Sequence, residues 1–377
     1  MDAGRRGGGG QEAGRAAGAP DGYRPVAEMD LGDLERLRLI LLGGSVVDWR
    51  RLHFRDAAEV DHFLRLNLFD LQDPRDERRM RAILAQAVEY LRSAFGYRVA
   101  AAVAEPADLR DLFLLASGRA EPARNRRIAC VVLKCMHVVH HLEARELLFR
   151  TALREADLAE RVDRRVTAAA RQMAAAGYPI VEFHGNVKPR SSLVTKLLVK
   201  RDTLAAQVFD RVRYRVVVRT PDQIAPVLHH LCDALFPFNY LVPGQTLNSL
   251  LEFRDVLDAH PRAAELEEQL RSSLDLEGAD RRKANPFSGK DYRVLNFVVD
   301  VPVRIDDLLP EEAYAAAEDL GRVVFSLVEF QVTDEATARH NEHGASAHDR
   351  YKKRQMKIAL RRLSRGLVVP RKAKRDG

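Results

Sequence analysis

Residues 329–353 read EFQVTDEATARHNEHGASAHDRYKK, and the period of the stretch changes midway. Its start continues the β-branched and aromatic run GRVVFSLV. Strand alternation there places Glu329, Gln331 and Thr333 on one face and Val328, Phe330 and Val332 on the other. From near Asp334 the spacing turns helical, and a final helix is predicted to reach about Arg365, with Gly366 and Pro370 ending it. A strand with one apolar and one polar face packs its apolar side on a core, which leaves the carboxylate of Glu329 on the polar side.

Three further β-branched runs precede it, YPIVEFHG at 178–185, RVRYRVVVRT at 211–220 and DYRVLNFVVDVPVRI at 291–305. Between them RSSLVTKLLVK and PDQIAPVLHHLCDALF have helical spacing, and residues 244–286 are a polar, helix-prone interruption containing AAELEEQLRSSL. Strands alternating with helices predict an α/β or α+β domain over 177–366, with the insertion at about 244–286 and a basic tail at 367–377. Upstream, residues 23–176 carry apolar positions at spacings of three and four, as in LGDLERLRLILL, and predict an all-helical domain. Within it Asp73 reads as an N-cap before Pro74, and Gly96 and Gly177 sit where helices stop. Trp49, Phe63, Phe69 and Tyr90 fit helical core spacing. Residues 1–22 are rich in Gly, Ala and Arg with almost no large apolar side chain, the composition of a disordered leader.

The 377 residues are 46% hydrophobic, enough for a sizeable core. No stretch has the length and apolarity of a membrane span and the N-terminus lacks the apolar middle of a secretory signal, so a cytoplasmic protein without membrane attachment is expected. Cys130, Cys135 and Cys232 are too few for a disulfide framework and read as reduced thiols. The net charge of +7 comes from the tail: residues 350–377 hold twelve Lys or Arg against one Asp, which leaves the remainder at about −4 by subtraction. The tail has two readings, an RNA or ribosome contact and the solvated end of a last helix. Homo-oligomerisation stays open.

Asp210 stands at the entrance to the strand RVRYRVVV, five residues before Arg215. Carboxylates from neighbouring strands suit a magnesium–triphosphate complex, because hard oxygen ligands hold the ion while phosphates complete its octahedron. The segment GNVKPRSSLVTKLLVK adds Lys188, Arg190, Ser192 and Lys196 where a strand gives way to a helix. Ser192 and Lys196 share a face, and a helix N-terminus supplies N–H donors for anions. A basic solvent-facing helix is the bland alternative.

Taken together, these residues resemble the RelA/SpoT-type alarmone synthetases. The family's E-x-Q-x-R-T and E-x-G-x-A-A-H-x-x-Y-K elements are matched in spacing by Glu329, Gln331, Glu342, Gly344, Ala347, His348, Tyr351 and Lys352. Its G-R-x-K-x-x-x-S-x-x-x-K element is similar to Gly185, Lys188, Ser192 and Lys196, and its D-x-x-x-x-R element to Asp210 and Arg215. SGKDYRVLNFVVDVPV resembles its N-G-Y-R-S-L-H-L-V-V strand, with TLNSL at 246–250 a rival for that place. The resemblance spans about residues 178–355. It implies a nucleotidyltransferase-like mixed sheet flanked by helices, and a transferase that moves pyrophosphate from ATP to the 3′-hydroxyl of GDP or GTP, making the stringent-response alarmone (p)ppGpp. By the same resemblance Asp210 and Glu329 hold Mg2+ and are catalytic. Lys188, Ser192, Lys196 and Arg215 grip donor phosphates, Tyr292 stacks on guanine, and Arg293 and Gln331 join the nucleotide contacts. The sequence departs from the pattern at Asn186, where the family has Arg, at Thr333-Asp334 for its Arg-Thr, at Asn296 for its His and at Val294 for its Ser. Two other functions stay in play: the same transfer onto an adenine nucleotide or a tRNA 3′ end, and a degenerate nucleotide-binding regulatory module.

His137, His140 and His141, with Glu143 and Cys135, invite a metal reading, but they lie on an apolar helix and are expected to be packed residues. Long family members carry an N-terminal hydrolase built on a His-Asp pair. The only His-Asp dipeptide here is His348-Asp349, inside the synthetase-like motif, so no hydrolase is expected.

Overall fold

A computed structural model describes residues 22–43, 53–118, 123–187, 190–199, 212–274, 292–308, 310, 312, 315–343 and 348–363. Residues 1–21 of the leader, Trp49, Lys188, Asp210, Gly344, Ala347 and residues 364–377, with the whole basic tail, lie outside them.

Among the described residues seven α-helices come first: α1 (Leu31–Leu42), α2 (Ala57–Leu66), α3 (Pro74–Phe95), α4 (Ala101–Ala104), α5 (Leu109–Ala116), α6 (Ala123–Arg150) and α7 (Glu155–Ala175). Local chemistry sets several of their ends. Asp30 accepts from the amide of Asp33 in a reciprocal capping box, and Asp73 caps α3 ahead of Pro74. The chain leaves α3 at Gly96 and α7 at Gly177 with positive φ, 66° and 85°, the left-handed geometry a glycine enters without a Cβ clash.

The second half supplies β1 (Ile180–Val187), α8 (Arg190–Val199), β2 (Val212–Val218), α9 (Ile224–Ala234), β3 (Leu247–Asn248), α10 (Phe253–Asp258), α11 (Ala263–Leu274), β4 (Leu295–Arg304), β5 (Val323–Asp334), α12 (Glu335–His343) and α13 (His348–Leu363). The described part of the insertion, up to residue 274, therefore holds a two-residue strand and two helices. The final helix expected from Asp334 to Arg365 is described as two segments, α12 and α13, with 344–347 outside the described residues.

Among the described residues one five-stranded mixed sheet runs β1-β2-β5-β4-β3. β5 is central, parallel to β2 with Arg213 opposite Glu329, and antiparallel to β4 with Asn296 opposite Gln331. The alternation read from the sequence is realised. Val328, Phe330 and Val332 join one core with Val212, Tyr214 and Val216 of β2 and Leu295, Phe297 and Val299 of β4. Phe330 lies between Tyr214, at 5.8 Å, and Phe297, at 5.5 Å.

Among the described residues two hydrophobic cores are present, and the division does not follow the boundary at 176. The core under the sheet includes Leu34, Leu37, Ile40 and Leu41 of α1 and Val162, Val166 and Met173 of α7. The other is all-helical, built from α2 to α5 and the first half of α6. The α6 helix therefore belongs to both, since Met136 lies in one core and Leu147 in the other. Phe63 and Phe69 are buried as expected, whereas Tyr90 is 52% exposed on the outer side of α3 beside Phe95. Its spacing matched the core face, but no element covers that turn of the helix among the described residues. The three cysteines are free thiols. No described helix is long and apolar enough to cross a membrane.

Candidate active site

The odd positions of β5 project from the face opposite the core, and a polar cluster forms there because each neighbouring strand contributes in register. Glu329 faces Arg213 across β2, Gln331 faces Arg215 on one side and Asn296 on the other, and on the edge strand β1 Asn186 faces Arg213 while His184 faces Arg215.

Glu329 is only 1% exposed. Both Nε and Nη2 of Arg213 reach its Oε2, at 2.7 and 2.6 Å, and Nδ2 of Asn296 donates to Oε1 at 2.6 Å. A carboxylate moved out of water costs several kcal/mol unless paired and hydrogen-bonded, which is what these two side chains accomplish. The other amide atom of Asn296, Oδ1, is buried and has no hydrogen-bond partner among the described residues. Arg215 is held at the rim, with Nη2 2.7 Å from Oε1 of Glu342 on α12 and Nε 3.7 Å from Glu182.

Neither Arg213 nor the role of Asn296 was legible as site chemistry in the motifs. The alternation RVRYR does carry the signal for Arg213, because residues 213 and 215 must share a face that Tyr214 avoids.

The remaining candidates are placed as follows. Tyr292 is half-buried just ahead of β4, and next to it Asn341 of α12 clasps the backbone of Arg293, accepting from its N–H at 3.2 Å and donating to its carbonyl at 2.7 Å. The Arg293 side chain is exposed. TLNSL, the rival segment, lies alongside: Leu247 and Asn248 pair with Asn296 and Leu295, and the Ser249 hydroxyl accepts from the amide of Val294 at 3.0 Å. Both candidate segments thus sit at one end of the sheet. Ser192 is exposed on α8, which packs against α13. Lys188 and Asp210 lie outside the described residues, as do the side chains of Arg190, Lys196, His348, Tyr351 and Lys352. The departures at 333–334 have a local explanation. Asp334 caps α12, accepting from the amide of Thr337 at 2.9 Å, and the Thr333 hydroxyl donates to the carbonyl of Asp334 at 2.8 Å.

The donor set suits a hard dication in kind, since a buried carboxylate and an unpartnered amide oxygen are both oxygen ligands. Arg213 already neutralises Glu329, so an ion would have to compete with that guanidinium. The histidines of α6 form no metal centre: among the described residues no group of three or more His, Cys, Asp or Glu side chains could hold one. His140 is packed between Phe69 and Phe325, and the His141 ring stacks on Phe325 at 4.1 Å with Nε2 3.4 Å from Asp300. Phe325 shares the face of Glu329, so α6 covers the far end of the polar face.

No family model matches the chain, and no curated protein matches it. Among solved structures it is similar to the small alarmone synthetase 1 from Bacillus subtilis, at 15% identity over 55% of this chain and 86% of that one with a TM-score of 0.29. It is also similar to the small alarmone synthetase 2 from the same organism, at 16% identity over 57% and 87% with a TM-score of 0.30. A third is a GTP pyrophosphokinase family protein from Streptococcus pneumoniae, at 17% identity over 56% and 89% with a TM-score of 0.27.

Proposed function

We propose that the chain is a divergent RelA/SpoT-type nucleotide pyrophosphotransferase, moving pyrophosphate from ATP to the 3′-hydroxyl of GDP or GTP. The observation that carries this reading is the buried carboxylate of Glu329 at the centre of a polar sheet face, between Arg213 and Asn296 and next to the register pair Gln331–Arg215. In pyrophosphoryl transfer the acceptor hydroxyl attacks the β-phosphorus, its proton goes to a base and AMP departs. Positioning and charge neutralisation supply most of the rate.

Arg213 is bound to that carboxylate, and Arg215 stands two residues along on the same face of β2. When triphosphate enters, the guanidinium of Arg213 turns from Oε2 toward phosphate oxygens, and Glu329 is released to accept the hydroxyl proton. Arg215 exchanges its Glu342 contact for phosphate in the same way, and Tyr292 and Gln331 flank the acceptor base. Mg2+, held by Glu329 and Asp210, would supply charge neutralisation on the phosphates.

A second reading is favoured by one feature of the site. Both oxygens of Glu329 are already engaged by side chains of this chain, as in a fold that binds nucleotides without turning them over. The two readings separate in one assay: purified protein, γ-labelled ATP and Mg2+ with GDP, GTP, ATP or bulk tRNA, beside Glu329→Gln. Label in guanine nucleotides that the variant reduces at least 100-fold supports the alarmone reading. Label in tRNA or adenine nucleotide reassigns the acceptor. Nucleotide binding without label in any acceptor leaves the binding module.

A further inference from the structure

Helix α13 keeps one side against α8, with Ala359 buried, and leaves a row of large apolar side chains uncovered. Met356, Leu360 and Leu363 are 60, 46 and 53% exposed. Spacings of four and three residues set them on one side of the helix, in a stripe beside the packed face. The row starts where the resemblance to the alarmone synthetases stops, near residue 355. Single exposed aliphatic side chains are ordinary on a protein surface, whereas a contiguous row marks a contact.

The charge around the stripe is of one sign. Residues 350–363 include seven Lys or Arg and no Asp or Glu. Lys357 and Arg361 are exposed, and neither is ion-paired among the described residues. One residue on from Met356 and Leu360, they form a basic row along the edge of the stripe farther from Ala359.

These features select among partners. A second copy docked through the same face would bring basic row against basic row with no acid between them. A single-stranded nucleic acid would use the charge but not the stripe, whose aliphatic chains offer no ring for a base to stack on. An acidic protein groove would have to close around the helix, and α8 occupies one side of it. A lipid surface with anionic headgroups needs only the one free side, with aliphatic chains entering the acyl boundary and basic chains staying at the level of the phosphates.

We propose that α13 is a docking surface for an anionic lipid bilayer, with Met356, Leu360 and Leu363 inserted at the headgroup–acyl boundary and Lys357 and Arg361 against lipid phosphates. Residues 364–377 add five Lys or Arg against one Asp to the attraction. The contact involves one leaflet and needs no spanning helix. Because α8 carries Ser192, the membrane would lie one helix away from a candidate phosphate contact, whatever reaction the sheet serves.

The experiment is sedimentation of the full chain with sucrose-loaded vesicles, either phosphatidylcholine alone or phosphatidylcholine with one-third phosphatidylglycerol. Two variants accompany the native chain: Met356→Gln/Leu360→Gln/Leu363→Gln, which keeps every charge, and Lys357→Gln/Arg361→Gln, which keeps the stripe. The native chain should pellet with the anionic vesicles only and dissociate as salt rises from about 0.1 to about 0.5 M. Each variant should partition about tenfold more weakly. Equal partition into neutral vesicles, partition undiminished in the triple variant, or no partition at all overturns the proposal. In the last case, binding of a single-stranded RNA that the triple variant retains would identify a nucleic-acid contact, and a dimer that the triple variant loses would identify a second copy. Should the triple variant fail to fold, Leu360→Gln alone carries the comparison.

Discussion

Glu329 and Arg213 illustrate how much depends on a single pair. The carboxylate is essentially inaccessible while the guanidinium is 27% exposed, so the arginine is the solvated partner and the glutamate the one that cannot tolerate its loss. Arg213→Ala should destabilise the protein by about 2–3 kcal/mol, toward the low end for breaking a buried pair because water reaches one side. The check is a urea unfolding midpoint. Glu329→Gln removes the charge but keeps the side-chain shape, and should cost about 1 kcal/mol in the same measurement while abolishing label transfer. A pyrophosphotransferase that kept its rate in Glu329→Gln would place its base elsewhere.

At the scale of one element, β1 is held to β2 by a contact that only glycine permits. A Cβ on Gly185 would come within 2.7 Å of the Tyr214 ring, whose hydroxyl donates to Asp163 of α7 at 2.9 Å. The ring is anchored at both ends and cannot retreat. Gly185→Val should therefore cost about 1–3 kcal/mol through displacement of β1, with Asn186 carried away from Arg213. Circular dichroism melts check the stability, and nucleotide titration checks the site. The cap at Asp334 is a milder case: Asp334→Ala should lower stability by about 1 kcal/mol through loss of the bond to Thr337.

Across the whole molecule, ionic contacts tie the helical core to the sheet. Arg304 at the end of β4 reaches both oxygens of Asp76 on α3, at 2.7 and 3.0 Å, and also the carbonyl of Leu68. His62 of α2 contacts Asp233 at the end of α9, 3.3 Å from its carboxylate, and this hydrogen bond raises the His62 pKa despite partial burial. A raised histidine pKa stabilises the native state below the ordinary value and loses that contribution as pH rises through the folded one. His140 acts with the opposite sign. Its folded pKa is near 3, so the unfolded chain takes up the proton first and stability falls as pH drops below the ordinary value near 6.5. Melting temperature against pH should therefore peak close to 6.5. His62→Gln should make the alkaline side shallower, and His140→Phe should make the acid side shallower, to which His137 and His230, also lowered by burial, contribute as well; a profile unchanged by both substitutions would refute the assignment.

What the sequence determined by itself was local and periodic. Alternation in VEFQVTD and RVRYRVVV settles which side chains share a face, because successive strand residues point oppositely whatever surrounds them. Helix stops at Gly96 and Gly177 and the cap at Asp73 are likewise short-range chemistry. The motif spacings led to Glu329, Gln331 and Arg215, and these do lie together on one sheet face. Tertiary structure alone decided which strands are neighbours. Register across 116 residues brings Arg213 to Glu329, and no local pattern encodes a pairing whose energy comes from excluding water around two distant segments. It also decided that α1 and α7 belong to the core of the sheet, that Tyr90 faces solvent, and that His140 and Asn239 meet around a cavity. Packing is a property of surfaces brought together by the fold, and a periodic sequence specifies that a face is buried without naming what buries it.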